Sequence, residues 1–235
     1  MDRFHRKRDL LLPADLEYLD VDLIGAGTLG GAILICLGKM GFGIRNRITV
    51  TDFDQCKEHN LATQWFRPFD VELRRPKVDA LAEMAAWVID CEIDTVHARF
   101  TGAEDRRLGP IVILAVDSLE ERKLIWRQLA TRNDVRFLVD ARAGAEVVEI
   151  HALDLEKDPH GEYEASLEGD AFEEPCTRRA ISYTAFGAAS FVGSVLRAWV
   201  RGEEYRRRFT FDFQNFWSER QPGEPPAADA HGTTR

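Results

Sequence analysis

The 235-residue sequence contains no CxxC pair: its four cysteines stand singly at positions 36, 56, 91 and 176. Neither a thiolate zinc site nor a disulfide framework is expected from such spacing. The six histidines are scattered without ligand spacing, so no zinc is expected from them either. Cationic side chains are in short supply, 31 Lys and Arg against 40 Asp and Glu, for a net charge of −9. Nucleic-acid binders gain affinity by setting Lys and Arg against phosphates, so no nucleic-acid partner is expected. A basic leader followed by a long apolar run is also missing, because MDRFHRKRDLLLPADL is mostly charged. The most apolar stretch, 180–200, is interrupted by Ser182, Thr184, Ser190, Ser194 and Arg197. Its many small residues suit close helix packing better than lipid. The expectation is a cytoplasmic protein with no membrane span.

What is present is enough apolar material, 45% of the chain, for one full α/β core. Val21 to Ile24 is a short apolar run, GAGTLGG follows, and AILICLGKMG keeps an apolar face at helical spacing. This reads as strand, glycine loop and helix. Gly41 and Gly43 end the helix, and RITVTDFD supplies a second strand closing on two aspartates. KVDALAEMAAWVID and LEERKLIWRQLATR read as helices; DTVHARF, PIVILAVD, RFLVDA and EVVEIHALDL read as strands. A turn at 142–144 makes the last of these antiparallel to its neighbour. FTFDF is a final strand. Strands alternating with helices imply a doubly wound, Rossmann-like, mainly parallel sheet, here with antiparallel strands near the C-terminus. One domain over 1–217 and a disordered tail over 218–235 follow from this pattern.

From Asp154 to Glu174 nine acidic residues face a single lysine, and Pro159, Gly161 and Gly169 are expected to break regular structure. Residues 154–175 therefore read as a flexible acidic loop, either simply solvated or a contact for a basic partner.

The chemistry begins at Gly25, Gly27 and Gly30, a GxGxxG with Thr28 and Leu29 inside it, placed between a strand and a helix. A backbone without Cβ lets phosphate approach the helix N-terminus there. Asp52 ends the next strand where a carboxylate can take ribose hydroxyls. Those features serve NAD as well as ATP, so an NAD-dependent oxidoreductase stays open at this point.

The run continues with Asp52-Phe53-Asp54, Asn60-Leu61-Ala62-Thr63-Gln64, Arg75-Pro76-Lys77 and Asp117-Ser118. In this order the chain resembles the ThiF and MoeB adenylyltransferases and the adenylation domains of ubiquitin-activating enzymes. The resemblance runs from about Val21 to Trp199. It implies ATP and Mg²⁺ as cofactors, with Asp52 on the ribose and Asn60, Gln64 and Lys77 along the phosphates. Asp117 is implied as the magnesium and catalytic carboxylate, with Asp54, Ser118 and Arg122 at neighbouring family positions. The family's arginine in NLxRQ is Thr63 here. Arg67 is the candidate substitute, and Arg3, Arg6 and Arg8 are a second source, since MoeB-like homodimers send an N-terminal arginine into the partner's site.

Glu174-Pro175-Cys176-Thr177-Arg178-Arg179 resembles the segment that carries the thioester-forming cysteine of ubiquitin-activating enzymes. A helix N-terminus with adjacent arginines favours thiolate over thiol, which agrees with Cys176 as nucleophile. The resemblance implies a ubiquitin-like protein with a Gly-ended tail as substrate, a conjugating-enzyme-like acceptor and a homodimer. Adenylation of a sulfur-carrier protein and a non-catalytic subunit that binds a ubiquitin-like protein are the alternatives within the same superfamily.

Overall fold

The structure, a computed structural model, describes residues 11–89, 91–168 and 181–218. The apolar run at the start becomes strand β1 (Val21–Ile24), and GxGxxG leads into helix α1 (Thr28–Met40). Gly41, at φ +113°, ends α1 by turning its N–H back to the carbonyls of Leu37 and Gly38. β2 (Ile48–Thr51), α2 (Pro68–Glu72), α3 (Lys77–Val88) and β3 (Asp94–Val96) follow. Then come β4 (Ile111–Leu114), α4 (Leu119–Leu129), β5 (Phe137–Gly144), β6 (Val147–Asp154) and α5 (Gly161–Glu168). Helix α6 (Ser182–Val200), β7 (Arg208–Asp212) and β8 (Trp217–Ser218) complete the described chain.

The sheet order is β3-β2-β1-β4-β5-β6-β7-β8. Pairing is parallel from β3 through β5 and antiparallel from β5 to β8. Every residue of β1 and β4 is buried, the signature of parallel strands covered by helices on both faces. Helices α1, α3 and α6 close one face, around Leu23, Ile33, Leu37, Leu81, Val139 and Val192. The other face is closed by α4 and α5, whose Trp126, Leu129, Tyr163 and Leu167 cover Val112 and Leu138. The small residues of 180–200 do pack helix on helix: a Cβ on Gly193 of α6 would lie 2.9 Å from the sulfurs of Cys36 and Met40 on α1. Among the described residues, no helix is long and apolar enough to cross a membrane.

Four details depart from the sequence pattern. The acidic stretch is not irregular throughout, because α5 forms inside it. Tyr163 and Leu167, four residues apart, both bury on the α4 side, and burial on one stripe outweighs the acidic composition. The turn expected at 142–144 falls at 145–146 instead; β5 stays paired to Gly144, and Ala145 takes φ +47°. Strand β3 stops at Val96 rather than running through Phe100. Helix α2 starts at Pro68, with the carboxylate of Asp70 accepting from the Arg67 N–H at 2.9 Å, a capping signal that the short segment conceals.

Candidate active site

The carboxyl ends of β1, β2 and β4 meet around the N-terminus of α1, where the chain order reverses across the sheet. In open α/β sheets this switch point is where ligands bind. Gly25 leaves β1 at φ +104°, a left-handed turn, and a Cβ there would sit 2.6 Å from the carbonyl oxygen of Ala115. A Cβ on Gly30 would sit 1.9 Å from the carbonyl oxygen of Gly25. Both glycines are therefore demanded by backbone passing backbone. Gly27 caps α1 without any side chain to satisfy the first turn. The leading N–H groups of α1 have no acceptor within the helix, and they carry its positive end. A Cβ on Gly27 would meet nothing nearer than the Gln64 amide at 4.0 Å. The loop thus presents open space and donors to an anion, and it fits a nucleotide phosphate.

Asp52 ties the end of β2 to that loop. One carboxylate oxygen accepts from the Ala26 N–H at 2.7 Å and the other from the Asp54 N–H at 2.7 Å. Asp54 in turn holds Lys77 at the start of α3, with Nζ 2.8 Å from its carboxylate. The Lys77 N–H also donates to the Asp54 carbonyl at 2.9 Å. Burial acts to raise the Asp54 pKa, but the hydrogen bond and charge of Lys77 more than offset it and hold the carboxyl below the usual range.

The NLATQ segment folds over the front of α1. Asn60 is buried; its side-chain oxygen accepts from the Lys57 N–H at 2.8 Å, and its carbonyl accepts from the N–H groups of Thr63 and Gln64. The Thr28 hydroxyl donates to the Thr63 hydroxyl at 3.2 Å. The Gln64 side-chain oxygen is buried and has no hydrogen-bond partner. Thr28, Thr63, Gln64, Trp65, Ser182 and Phe186 border a cavity of about 180 Å³. A second hollow, about 30 Å³, lies between Asp52, Phe53, Arg99 and Glu121 at the strand ends. The guanidinium of Arg99 stacks 3.9 Å above the Phe53 ring and pairs with Glu121.

Across β1, the chain leaves β4 through Val116, Asp117 and Ser118. Asp117 is exposed. Ser118 caps α4, its hydroxyl accepting from the Glu121 N–H at 3.3 Å. β1 separates β2 from β4, so the strand ends at Thr51 and Leu114 stand about 10 Å apart across the sheet, two strand spacings, with Asp52 one residue and Asp117 three residues beyond them.

The structure brings together Asp52 with the glycine loop, Asp54 with Lys77, and Thr28 with Thr63 and Gln64, while Asp117 and Ser118 follow β4 on the other side of β1 from Asp52. It does not leave Arg67 free at the Thr63 turn. Arg67 pairs with Asp70 at 3.1 Å and Glu83 at 2.9 Å, and Arg75 joins both carboxylates at 2.7 and 2.6 Å. Arg122 is buried beneath the Asp117 turn and grips backbone rather than facing the cleft. Cys56 is buried, and burial, with the charge of Asp70, pushes its thiol up to about 11, which makes it a poor nucleophile. Cys176, Arg3, Arg6 and Arg8 lie outside the described residues. Phe53, Arg99 and Glu121 carried no motif, and only the fold puts them together. Asp140 did have a signal, a carboxylate in the middle of the apolar run RFLVDA.

Among the described residues no group of three or more His, Cys, Asp and Glu is arranged to hold a metal ion. A magnesium ion bound through one carboxylate and nucleotide phosphates needs no such group, because Mg²⁺ keeps several waters.

A glycine loop on a doubly wound sheet, with antiparallel strands continuing it, agrees with the fold expected of E1-like adenylyltransferases. A family model described as the ThiF family matches residues 12–148, and the chain belongs to that family. Similar solved structures include PaaA, at 16% identity and a TM-score of 0.64, covering 88% of this chain and 73% of that one. E. coli MccB with MccA matches at 14% identity and a TM-score of 0.69, covering 92% and 67%. E. coli MccB with AMPCPP and MccA matches at 13% and 0.66, covering 89% and 65%. The chain thus spans about two thirds of the MccB structures. No curated protein matches the sequence.

Proposed function

We propose that this chain uses ATP and Mg²⁺ to adenylate the C-terminal carboxylate of a small protein or peptide, most simply a ubiquitin-like protein with a Gly-ended tail. What supports this reading is a glycine loop and an uncapped helix N-terminus after β1, flanked in the sheet by the strands that precede two sets of polar residues. The Asp52, Asp54 and Lys77 side lies after β2, and the Asp117 turn lies after β4. The family supports the nucleotide, and an MccB structure that holds AMPCPP with MccA supports pairing a nucleotide with a peptide partner in this fold.

In the reaction, a carboxylate oxygen of the tail attacks the α-phosphorus of ATP, the bond to the bridging oxygen breaks, and pyrophosphate leaves. The Gly25 to Gly30 loop amides hold phosphate, Asp52 faces the ribose, and Asn60 and Gln64 line the phosphates. Lys77 offsets phosphate charge, and its pairing with Asp54 keeps it oriented until nucleotide arrives. Asp117 would hold magnesium, which spreads the developing charge when bound. Arg67 adds its charge only by leaving Asp70 and Glu83. The Cys176 thiolate then attacks the acyl carbon and AMP departs, leaving a thioester for a conjugating-enzyme-like acceptor. A sulfur-carrier substrate ending in a thiocarboxylate remains the other outlet. The Thr28–Thr63 hydrogen bond, in place of an arginine, favours a second reading, a subunit that binds such a protein without activating it.

The test is a melting scan with ATP and Mg²⁺ against NAD, then intact mass after incubation with ATP, Mg²⁺ and a Gly-ended ubiquitin-like protein. ATP and Mg²⁺ should raise the melting temperature through binding linkage and NAD should not. A thiol-labile adduct should vanish in Cys176→Ala and persist in Cys56→Ala. Stabilisation by NAD alone would sink the adenylation reading; an adduct that survives Cys176→Ala would sink the nucleophile.

A further inference from the structure

The end of β4 is held from beneath. Arg122, one turn into α4, is 4% exposed. Its guanidinium donates to the carbonyl of Val116, the residue before Asp117, and at 3.2 Å to the carbonyl of Ala141. Its charge is met by Asp140, 0% exposed in the middle of β5. The other oxygen of Asp140 accepts from Arg142 Nε at 2.9 Å and from the Tyr163 hydroxyl at 3.2 Å. Arg142 continues to the hydroxyl of Ser166 at 3.0 Å and to Glu149 at 3.3 Å.

A buried ion pair of this sort is a poor source of stability, because removing two charges from water offsets most of their attraction, and apolar residues of equal volume commonly do as well. A carboxylate at the centre of a buried strand therefore needs another reason, and its pairing with Arg122 points to one. Through Arg122 it fixes the carbonyl that immediately precedes Asp117, and through Tyr163 it fixes that anchor to α5.

We infer that Asp140 is a positioning residue for Asp117: by orienting Arg122 it holds the Val116–Asp117 turn in the attitude that a metal-holding carboxylate requires. The inference rests on the reading of Asp117 as the magnesium carboxylate. Residues that orient a metal ligand are worth roughly 10- to 100-fold in metal affinity, and Asp140 acts one backbone carbonyl away from such a residue.

The experiment uses the full chain with ATP, and Mn²⁺ as the spectroscopic probe for the metal. Asp140→Asn should weaken Mn²⁺ binding to the ATP complex about tenfold, the low end of that range, while ATP binding in EDTA stays within twofold. Tyr163→Phe keeps the ion pair and should give a smaller loss in the same direction. The double variant Arg122→Met with Asp140→Leu removes both charges; its melting temperature should return toward wild type while Mn²⁺ stays weak, which a purely structural role would not produce. That double variant decides the matter if Asp140→Asn does not fold. Mn²⁺ affinity within twofold of wild type in either folded Asp140 variant, with affinity lost in Asp117→Asn, overturns the inference and leaves the Asp117 reading standing. Undiminished Mn²⁺ binding in Asp117→Asn overturns both.

Discussion

The two halves of the sheet distribute their charged residues differently. In the parallel half, β1, β2 and β4 have four residues each and hold one charge among them, Asp22 on β1, buried against Arg106 and the Gly109 N–H; Asp52 stands directly after β2 and Asp117 three residues after β4. In the antiparallel half, β5 and β6 run eight residues each and carry their charges inside the strands. Arg142 on β5 bridges Asp140 on the same strand and Glu149 on β6, and Glu149 meets His151 and Arg208. Of the charges past the strand ends, Asp52 borders a hollow and Asp117 is exposed. Charges within strands are satisfied by one another, and they act on the crevice only through what they hold.

Glycines give the largest test of that contrast. At Gly30 an added Cβ would lie 1.9 Å from a backbone carbonyl, and neither chain can yield without moving the loop. Gly30→Ala should destabilise by about 3 kcal/mol, the upper end for overpacking, and abolish ATP-induced stabilisation. At Gly193 the opposing atoms are the sulfurs of Cys36 and Met40 at 2.9 Å, the movable ends of their side chains. Gly193→Ala should cost about 1 kcal/mol or less, since better helix propensity offsets part of the crowding. Urea titration of both variants measures the difference, and equal costs would erase the distinction between a glycine that faces backbone and one that faces movable side chains.

The buried strand charges make a second, smaller prediction. Burial pushes the His151 pKa below its usual value, and the hydrogen bond to Glu149 only partly counters this. The unfolded chain therefore takes up a proton near pH 6.5 that the folded chain refuses, so stability is full above that pH and declines below it. Glu149 adds to the decline only at lower pH. Burial opposes its ionisation, but His151, Arg142 and Arg208 hold its pKa at about 2, so its contribution is lost between pH 4.5 and 2. His151→Gln should flatten the urea midpoint between pH 6.5 and 5, where the native chain loses up to about 1.4 kcal/mol per pH unit. An unchanged slope in that variant would show that His151 titrates as it does in solution.

Much of this architecture was legible in the residues. The continuous apolar runs VDLI and IVIL had to be covered on both faces, and GxGxxG between strand and helix placed the crevice before any coordinate did. Of the expected wall residues Asp52, Asn60, Gln64, Lys77 and Asp117, Asp52 and Gln64 border hollows. What escaped was set by contacts distant in sequence. Helix α5 depends on Tyr163 and Leu167 finding Trp126 and Leu138, which acidic composition cannot announce. Arg67 looked like a spare cation three residues from Thr63, yet Asp70, Arg75 and Glu83 absorb it into one ionic cluster. The hollow beside Phe53 and Arg99 joins loops after β2, β3 and β4, so no single stretch of sequence displays it.

The mildest prediction concerns the boundary between the two regimes. Ser118 sits next to Asp117 just past β4, and its hydroxyl is engaged as the cap of α4, accepting from the Glu121 N–H at 3.3 Å. Caps of this kind contribute about 1 kcal/mol, and a 3.3 Å contact belongs at the lower end of the range. Ser118→Ala should therefore lower stability by about 0.5 kcal/mol, readable in urea, and leave ATP affinity within a factor of two. The reason it should do no more is Arg122, which fixes the carbonyl of Val116 from below whether or not the cap is present. If Ser118→Ala instead weakens ATP or metal binding strongly, the hydroxyl belongs to the crevice, and the division between groups that meet ligand and groups that hold backbone fails at the one residue where the two touch.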